Sequence, residues 1–179
     1  SGEFEQVNFR DSDWNGVRCQ FTEFTECDFR RAWFSGKCNF FGAKFTKCDF
    51  RGTRFTKADF SRCRFIECDF TGAILDVVNL TAGKIRQCRF NTETRLLDVS
   101  LAGATVDNLV ELNVGYYSVY LGEDFASLGC KSFSIAEWEA MEEESIHEMD
   151  EDDGVEFWRK WKDTILQIHR THFNKEQGQ

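Results

Sequence analysis

The chain has 179 residues, of which 41 % are hydrophobic, and a formal net charge of −9. This length suits one domain with an appendage, and the apolar share is enough for a packed core, which argues against intrinsic disorder. No run approaches the ~18 apolar residues of a membrane helix, and no charged-then-apolar leader opens the chain, though Ser1-Gly2 reads as a cloning scar.

From Phe4 onward an apolar residue recurs at every fifth position: Phe4, Phe9, Trp14, Cys19, Phe24, Phe29 and Phe34. One residue is inserted near Gly36, and the beat resumes from Phe40 to Phe90. A second insertion falls near residues 92–95, after which Leu96, Leu101 and Val106 continue the count. Two positions before most centres stands a small residue, among them Ala32, Ala43, Thr53, Ala58, Cys63 and Ala73. A period of five fits neither the helical 3.6 nor the strand 2.0. It predicts an all-β solenoid of square cross-section, in which each unit makes one side and four make a coil. The central residue and the small one point inward, and the other three face water. With strand-like stacking at ~4.8 Å per coil, about five coils make a rod on the order of 25 Å long. Proline is absent, as suits a backbone whose N–H groups are committed to ladder bonds.

The chain holds 8 cysteines, enough to suggest a disulfide framework. Aligning residues about twenty apart stacks Cys27, Cys48, Cys68 and Cys88 in one inward column. Stacked thiols could form a soft-metal or redox ladder. However, no CxxC pair occurs, and neighbours pointing the same way suit neither tetrahedral zinc nor disulfide geometry. The column reads as filler of the small-residue slot in a reducing compartment, with no metal and no cofactor expected.

The triplets Cys48-Asp49-Phe50, Ala58-Asp59-Phe60, Cys68-Asp69-Phe70 and Val78-Asn79-Leu80 resemble the pentapeptide-repeat family, over residues 3 to 109. The resemblance implies a right-handed quadrilateral parallel β-helix. The organisation expected is a repeat β-helix over 1–109, a capping and connecting segment over 110–133, and an acidic two-helix tail over 134–179. The best-known family members protect type II topoisomerases and are thought to imitate DNA with a negatively charged rod. Here residues 1–109 hold 16 Lys+Arg against 15 Asp+Glu, whereas residues 110–179 hold 6 against 16. The rod therefore stands at +1 and the tail at −10, which departs from a DNA mimic.

Outward columns divide the rod's charge. One face stacks Lys44, Arg64 and Lys84, with Lys47 and Arg86 beside them and Glu23 and Glu67 opposed. An adjacent face stacks Asp28, Asp49 and Asp69, flanked by Arg30, Arg31 and Arg51, which offset the aspartates. The basic face reads either as the solvated surface of a soluble repeat or as a docking surface for something acidic, a partner or this protein's own tail. Nucleic acid is not expected there, because exposed aromatics interleaved with the basic residues are few.

Past Val106 the beat is lost. Residues 112–121 read as an extended, aromatic-rich segment that closes the open end of the coil. Ser134 with Glu137 makes a capping box, followed by Ile135, Trp138, Met141, Ile146 and Met149 at helical spacing. Asp150–Gly154 reads as a break, and Asp153 with Glu156 as a second cap. Val155, Trp158, Trp161, Ile165 and Ile168 then form one stripe, with Arg170 and Lys175 complementing the helix dipole at its end. Trp138, Trp158, Trp161, Ile165 and Ile168 are the expected contacts, made either on the rod or with a second chain. Some family members dimerise through their C-terminal ends, so the resemblance implies a possible homodimer. The tail also resembles one appended to some phage and bacterial repeat proteins. Its acidic polar faces do not suit a membrane surface.

Catalytic candidates are sparse. The three histidines, His147, His169 and His172, all lie in the tail, and the i,i+3 pair His169/His172 reads as solvated. Cys130, between Gly129 and Lys131, has His147 as its nearest histidine in the sequence. No phosphate loop, HExxH or nucleophile elbow occurs. The expectation is a non-catalytic, cytoplasmic protein-interaction module of bacterial or phage type. Two alternatives are a topoisomerase (gyrase)-directed protein and a self-assembling component whose tails dock on the basic faces of neighbours.

Overall fold

The computed structural model describes residues 2–114, 117–128 and 131–173, apart from the side chains of residues 114 and 147–153. The five-residue beat folds into a parallel β-solenoid of about five turns. Two of its four sides are sheets. One comprises β1 (Glu3–Glu5), β2 (Glu23–Thr25), β4 (Lys44–Thr46), β6 (Arg64–Ile66), β8 (Lys84–Arg86) and β10 (Thr105–Val106). The opposite side comprises β3 (Trp33–Phe34), β5 (Arg54–Thr56), β7 (Ile74–Asp76) and β9 (Arg95–Leu97). The remaining sides are held by single parallel bridges, Asn8↔Asp28↔Asp49↔Asp69↔Arg89 and Arg18↔Asn39↔Asp59↔Asn79↔Ser100.

The bridge sides explain why Asp or Asn so often precedes the central residue. The Asp49 Oδ1 accepts the Arg51 N–H at 3.1 Å, Asp59 accepts that of Ser61 at 3.0 Å, and Asn79 accepts that of Thr81 at 3.0 Å. These short side-chain loops mimic a backbone turn and set up the corner. On the sheet sides the ladder supplies that order, and the same position is free to carry Glu23, Lys44, Arg64 or Ile74.

Inside, the phenylalanines form four columns. Phe24, Phe45 and Phe65 stack at 4.9 Å between centroids, Phe29, Phe50 and Phe70 at 5.0 Å, and Phe34–Phe55 and Phe40–Phe60 at 4.9 Å. Rings on adjacent sides meet edge to face, as Phe45 and Phe50 do at 69°. Cys27, Cys48, Cys68 and Cys88 are buried in the small-residue slots. The slot has a polar use as well. The Cys63 thiol points at the Phe40 carbonyl at 2.9 Å, just as the Thr53 and Thr94 hydroxyls donate to Phe29 and Phe70 at 2.8 and 3.0 Å. Burial pushes the Cys38 thiol up to about 12 and raises Cys63 and Cys68 as well, so these sulfurs stay protonated and inert near neutral pH. The first coil is loosely covered: Phe4 is exposed and Phe9, Trp14 and Cys19 are half-buried, because a terminal coil has a neighbour on one side only.

At the other end an antiparallel meander closes the rod: β11 (Val110–Val114), β12 (Tyr117–Leu121), β13 (Phe125–Leu128) and β14 (Lys131–Ser134). Tyr120 and Phe125 enter the solenoid core. The Tyr120 hydroxyl donates to the Val99 carbonyl at 2.9 Å and accepts the Val99 N–H at 3.1 Å, bonding the last coil to the cap. Residues Val119, Leu121 and Ala126 belong to a second core, formed with the tail.

The helix α1 (Ile135–Ala140) begins at the capping box of Ser134 and Glu137. The helix α2 (Glu143–Phe173) then runs unbroken, so the expected break at Asp150–Gly154 is not there; the interruption falls at Met141–Glu142. Lys162 Nζ donates to the Glu139 and Met141 carbonyls at 2.9 and 3.0 Å, satisfying the end of α1 where the chain turns. Gly154 is buried mid-helix, and packing there overrides a propensity cost of about 1 kcal/mol. Asp153, expected to cap a second helix, lies inside α2, where no helix begins. Cys130, Lys175 and the side chains of His147 and Met149 lie outside the described residues.

Candidate functional site

The strands β2, β4, β6 and β8 pair in register, so Glu23, Lys44, Arg64 and Lys84 form one outward column. The side chains project from a backbone locked by the ladder outside and the phenylalanine columns inside, so their spacing of ~4.8 Å per coil is rigid. Lys44 Nζ lies 3.3 Å from Glu23 Oε2. Arg64 and Lys84 are exposed and, among the described residues, have no ion pair. The structure thus groups Lys44, Arg64 and Lys84 but separates the other two basic residues from their column. Arg86 stands at the far end of β8, next to Ile66 in register, and Lys47 sits on the following corner at φ 54°.

The adjacent bridge side is neutralised internally. Asp28 binds Arg10 and Arg30 at 2.7 and 2.6 Å, and Asp49 binds Arg51 at 2.6 Å and Arg30 at 3.4 Å. Arg31 instead pairs with Asp11 at 2.7 Å, which holds the Asp11 carboxyl below its ordinary range.

Across the corner that leads into the basic column lies an open cleft of ≈ 460 Å³, lined by Phe21, Phe41, Gly42 and Arg62 together with Glu23, Lys44 and Arg64. Phe21 is 59 % exposed. It meets Phe41 edge to face at 5.5 Å, and the Arg62 guanidinium carbon sits 5.5 Å from the Phe41 centroid, within cation–π range. Gly42 leaves room for the ring: a Cβ would stand 2.7 Å from the Phe21 ring, at a φ of +68°. Sequence reasoning missed Phe21, Phe41 and Arg62 because it followed the inward beat. The signal lay in two aromatic residues at outward positions one coil apart, beside the basic column.

The tail residues find their partners within the chain. Trp138, Trp158 and Ile165 are buried and Trp161 and Ile168 half-buried, all packed with the cap sheet rather than on the side of the rod. Trp138 Nε1 donates to the Ala126 carbonyl at 3.2 Å. Phe157, Leu166 and His169 are also buried, which widens the buried stripe beyond the expected one. His169 is not solvated: its Nε2 lies 3.1 and 2.9 Å from the Gly122 and Glu123 carbonyls, so that nitrogen carries the proton. His172 is exposed and packs against Phe173 at 4.7 Å. Among the described residues no group of three or more His, Cys, Asp or Glu could hold a metal ion, and no helix is long and apolar enough to cross a membrane.

A pile of coils with two inward residues per five defines a class of repeat rod. The pentapeptide-repeat family profile matches residues 3–36 and 38–76 in 8 copies, and the rod has the parallel β-solenoid fold of such repeats. No curated protein matches the sequence. Solved structures similar to it include HetL, a pentapeptide repeat protein involved in heterocyst differentiation regulation in the cyanobacterium Nostoc sp. strain PCC 7120. HetL is 21 % identical with a TM-score of 0.34, over 56 % of this chain but only 40 % of its own length. Rfr23 from the cyanobacterium Cyanothece 51142 is 13 % identical with a TM-score of 0.41, over 59 % of this chain and 84 % of its own. QnrB1, a plasmid-mediated fluoroquinolone resistance protein, is 16 % identical with a TM-score of 0.25, over 58 % and 59 %.

Proposed function

We propose that this chain is a non-catalytic protein-interaction module that presents the Lys44–Arg64–Lys84 column to an acidic surface of a macromolecular partner. The observation that carries the reading is the in-register stack of three cations on one rigid strand face, two of them with no ion pair among the described residues. Like charges held one coil apart repel each other, and a carboxylate-bearing partner relieves that repulsion as it docks. The interior supports a binding role over catalysis: the void among Phe55, Phe60, Phe65 and Phe70 is ≈ 10 Å³, at the lower limit for a single water and far too small for a substrate. A rod near neutrality gives no support to a DNA-mimicking, gyrase-directed role.

The test is affinity capture from nuclease-treated bacterial lysate, comparing the wild type with Lys44→Glu/Arg64→Glu/Lys84→Glu. A protein held by the wild type and lost by the variant supports the reading. Equal capture moves the docking surface elsewhere on the molecule. Salt-sensitive self-association of the wild type in light scattering, lost in the variant, would instead identify the acidic partner as the tail of a second copy.

A further inference from the structure

We infer that the corner cleft beside the basic column takes an acidic peptide segment anchored by one aromatic side chain; this rests on the reading of Lys44, Arg64 and Lys84 as a docking column. Phe21 is the first reason. It adopts φ 55° on an open corner, a backbone conformation strained for a bulky L-residue, and burial does not offset that strain. Apart from Val77 and Ala82, every other described non-glycine residue at a left-handed corner is polar or charged, for example Gln6, Glu26, Lys47 and Arg62. The ring is also seated rather than splayed, lying over the Gly42 backbone and edge-on to Phe41, with Arg62 held on Phe41. An exposed aromatic pair flanked by a guanidinium is a platform for a further ring.

The charge layout gives the ligand a direction. At the Phe21 end Glu23 offsets Lys44, and the uncompensated cations Arg64 and Lys84 lie one and two coils beyond Lys44. At ~4.8 Å per coil, Arg64 stands ~10 Å along the rod from the coil of Phe21, and Lys84 stands ~14 Å along. An extended peptide covers those distances in about three and four residues. The fitting segment therefore has an aromatic residue at one end, neutral residues over Glu23, and carboxylates about three and four places later. Single-stranded nucleic acid fits worse, because a charge on every nucleotide would set a phosphate against Glu23, which lines the cleft.

The probe is a short fluorescein-labelled synthetic peptide with one Trp followed by Glu at those spacings, read by anisotropy at low salt. It is compared with its Trp→Ser form, its Glu→Lys form and a thymidine oligonucleotide of similar length. Phe21→Asn removes the anchor while Asn tolerates the left-handed corner, and an unchanged far-UV spectrum certifies the fold. The expected result is binding of the Trp–Glu peptide, weakened about tenfold by either Trp→Ser or Phe21→Asn and abolished by Arg64→Glu/Lys84→Glu. No binding of the Trp–Glu peptide, equal binding by Phe21→Asn, or preference for the oligonucleotide would overturn the inference. Its failure is separable from that of the docking column. A lysate partner lost by the triple charge reversal but kept by Phe21→Asn leaves the column standing and removes the aromatic anchor.

Discussion

Tyr120→Phe isolates the bond between the last coil and its cap. The ring is 1 % exposed and shared with the solenoid core, so phenylalanine keeps the packing and removes only the hydroxyl. That oxygen serves both the N–H and the carbonyl of Val99, which is itself buried, and no other bond to either group is seen among the described residues. Leaving one buried polar group unsatisfied costs about 1–3 kcal/mol, and the two here, sharing one relaxed backbone unit, should cost about 2–4 kcal/mol together. For a chain of this size that lowers the thermal midpoint by about 5–12 °C. Urea unfolding followed by far-UV circular dichroism gives the midpoint, and an unchanged slope would show that the exposed surface is the same. A loss below about 0.5 kcal/mol would refute the idea that the cap is fastened through Val99.

Three further outcomes follow from the core and the corners. Phe50→Ala removes a ring stacked at 5.0 Å on both sides and should cost about 3–5 kcal/mol in urea, whereas Phe9→Ala, in the half-covered first coil, should cost roughly half as much. Asp49→Asn keeps the acceptor for the Arg51 N–H and loses only partly exposed ion pairs, about 0.5 kcal/mol, while Asp49→Ala loses the turn bond too and should cost about 1 kcal/mol more; equal losses would mean that the turn bond is idle. Stability should also fall in alkali. Cys38 titrates at 9.0 in the unfolded chain and at about 12 in the rod, so between those values the unfolded state binds fewer protons and gains as pH rises. That contribution is intact below pH 9 and is about 2 kcal/mol smaller by pH 10.5, measurable as a drop in urea midpoint that Cys38→Ala reduces.

The rod was legible because its period is set by covalent spacing. One side of a square coil is five residues, and the inward pair cannot change position without exposing a phenylalanine such as Phe45 or Phe50. The Cys column could be read for the same reason, since cysteine, alanine and threonine are all small enough for that slot. Helix continuity across Asp150–Gly154 was not legible, because acidic residues and glycine are weak local signals, and tertiary packing around Trp158 and Ile165 overrides them. The Lys44–Arg64–Lys84 column could be counted from the beat, but the cleft beside it could not. Whether Phe21 splays into water or lies on Gly42 depends on the corner geometry, which the inward pattern does not carry. All five stripe residues, Val155, Trp158, Trp161, Ile165 and Ile168, pack in the second core, whereas the burial of Phe157, Leu166 and His169 was not legible, since the cap sheet lies far away in sequence.

The most direct test of the docking column is a capture experiment controlled for charge. Arg64→Glu/Lys84→Glu is compared with Arg54→Glu/Arg95→Glu, which reverses the same number of exposed cations on the opposite sheet. Loss of the captured protein with the first variant and its retention with the second is the predicted result. Equal loss with both would make the interaction a matter of overall charge, and retention by both would contradict the assignment of this face.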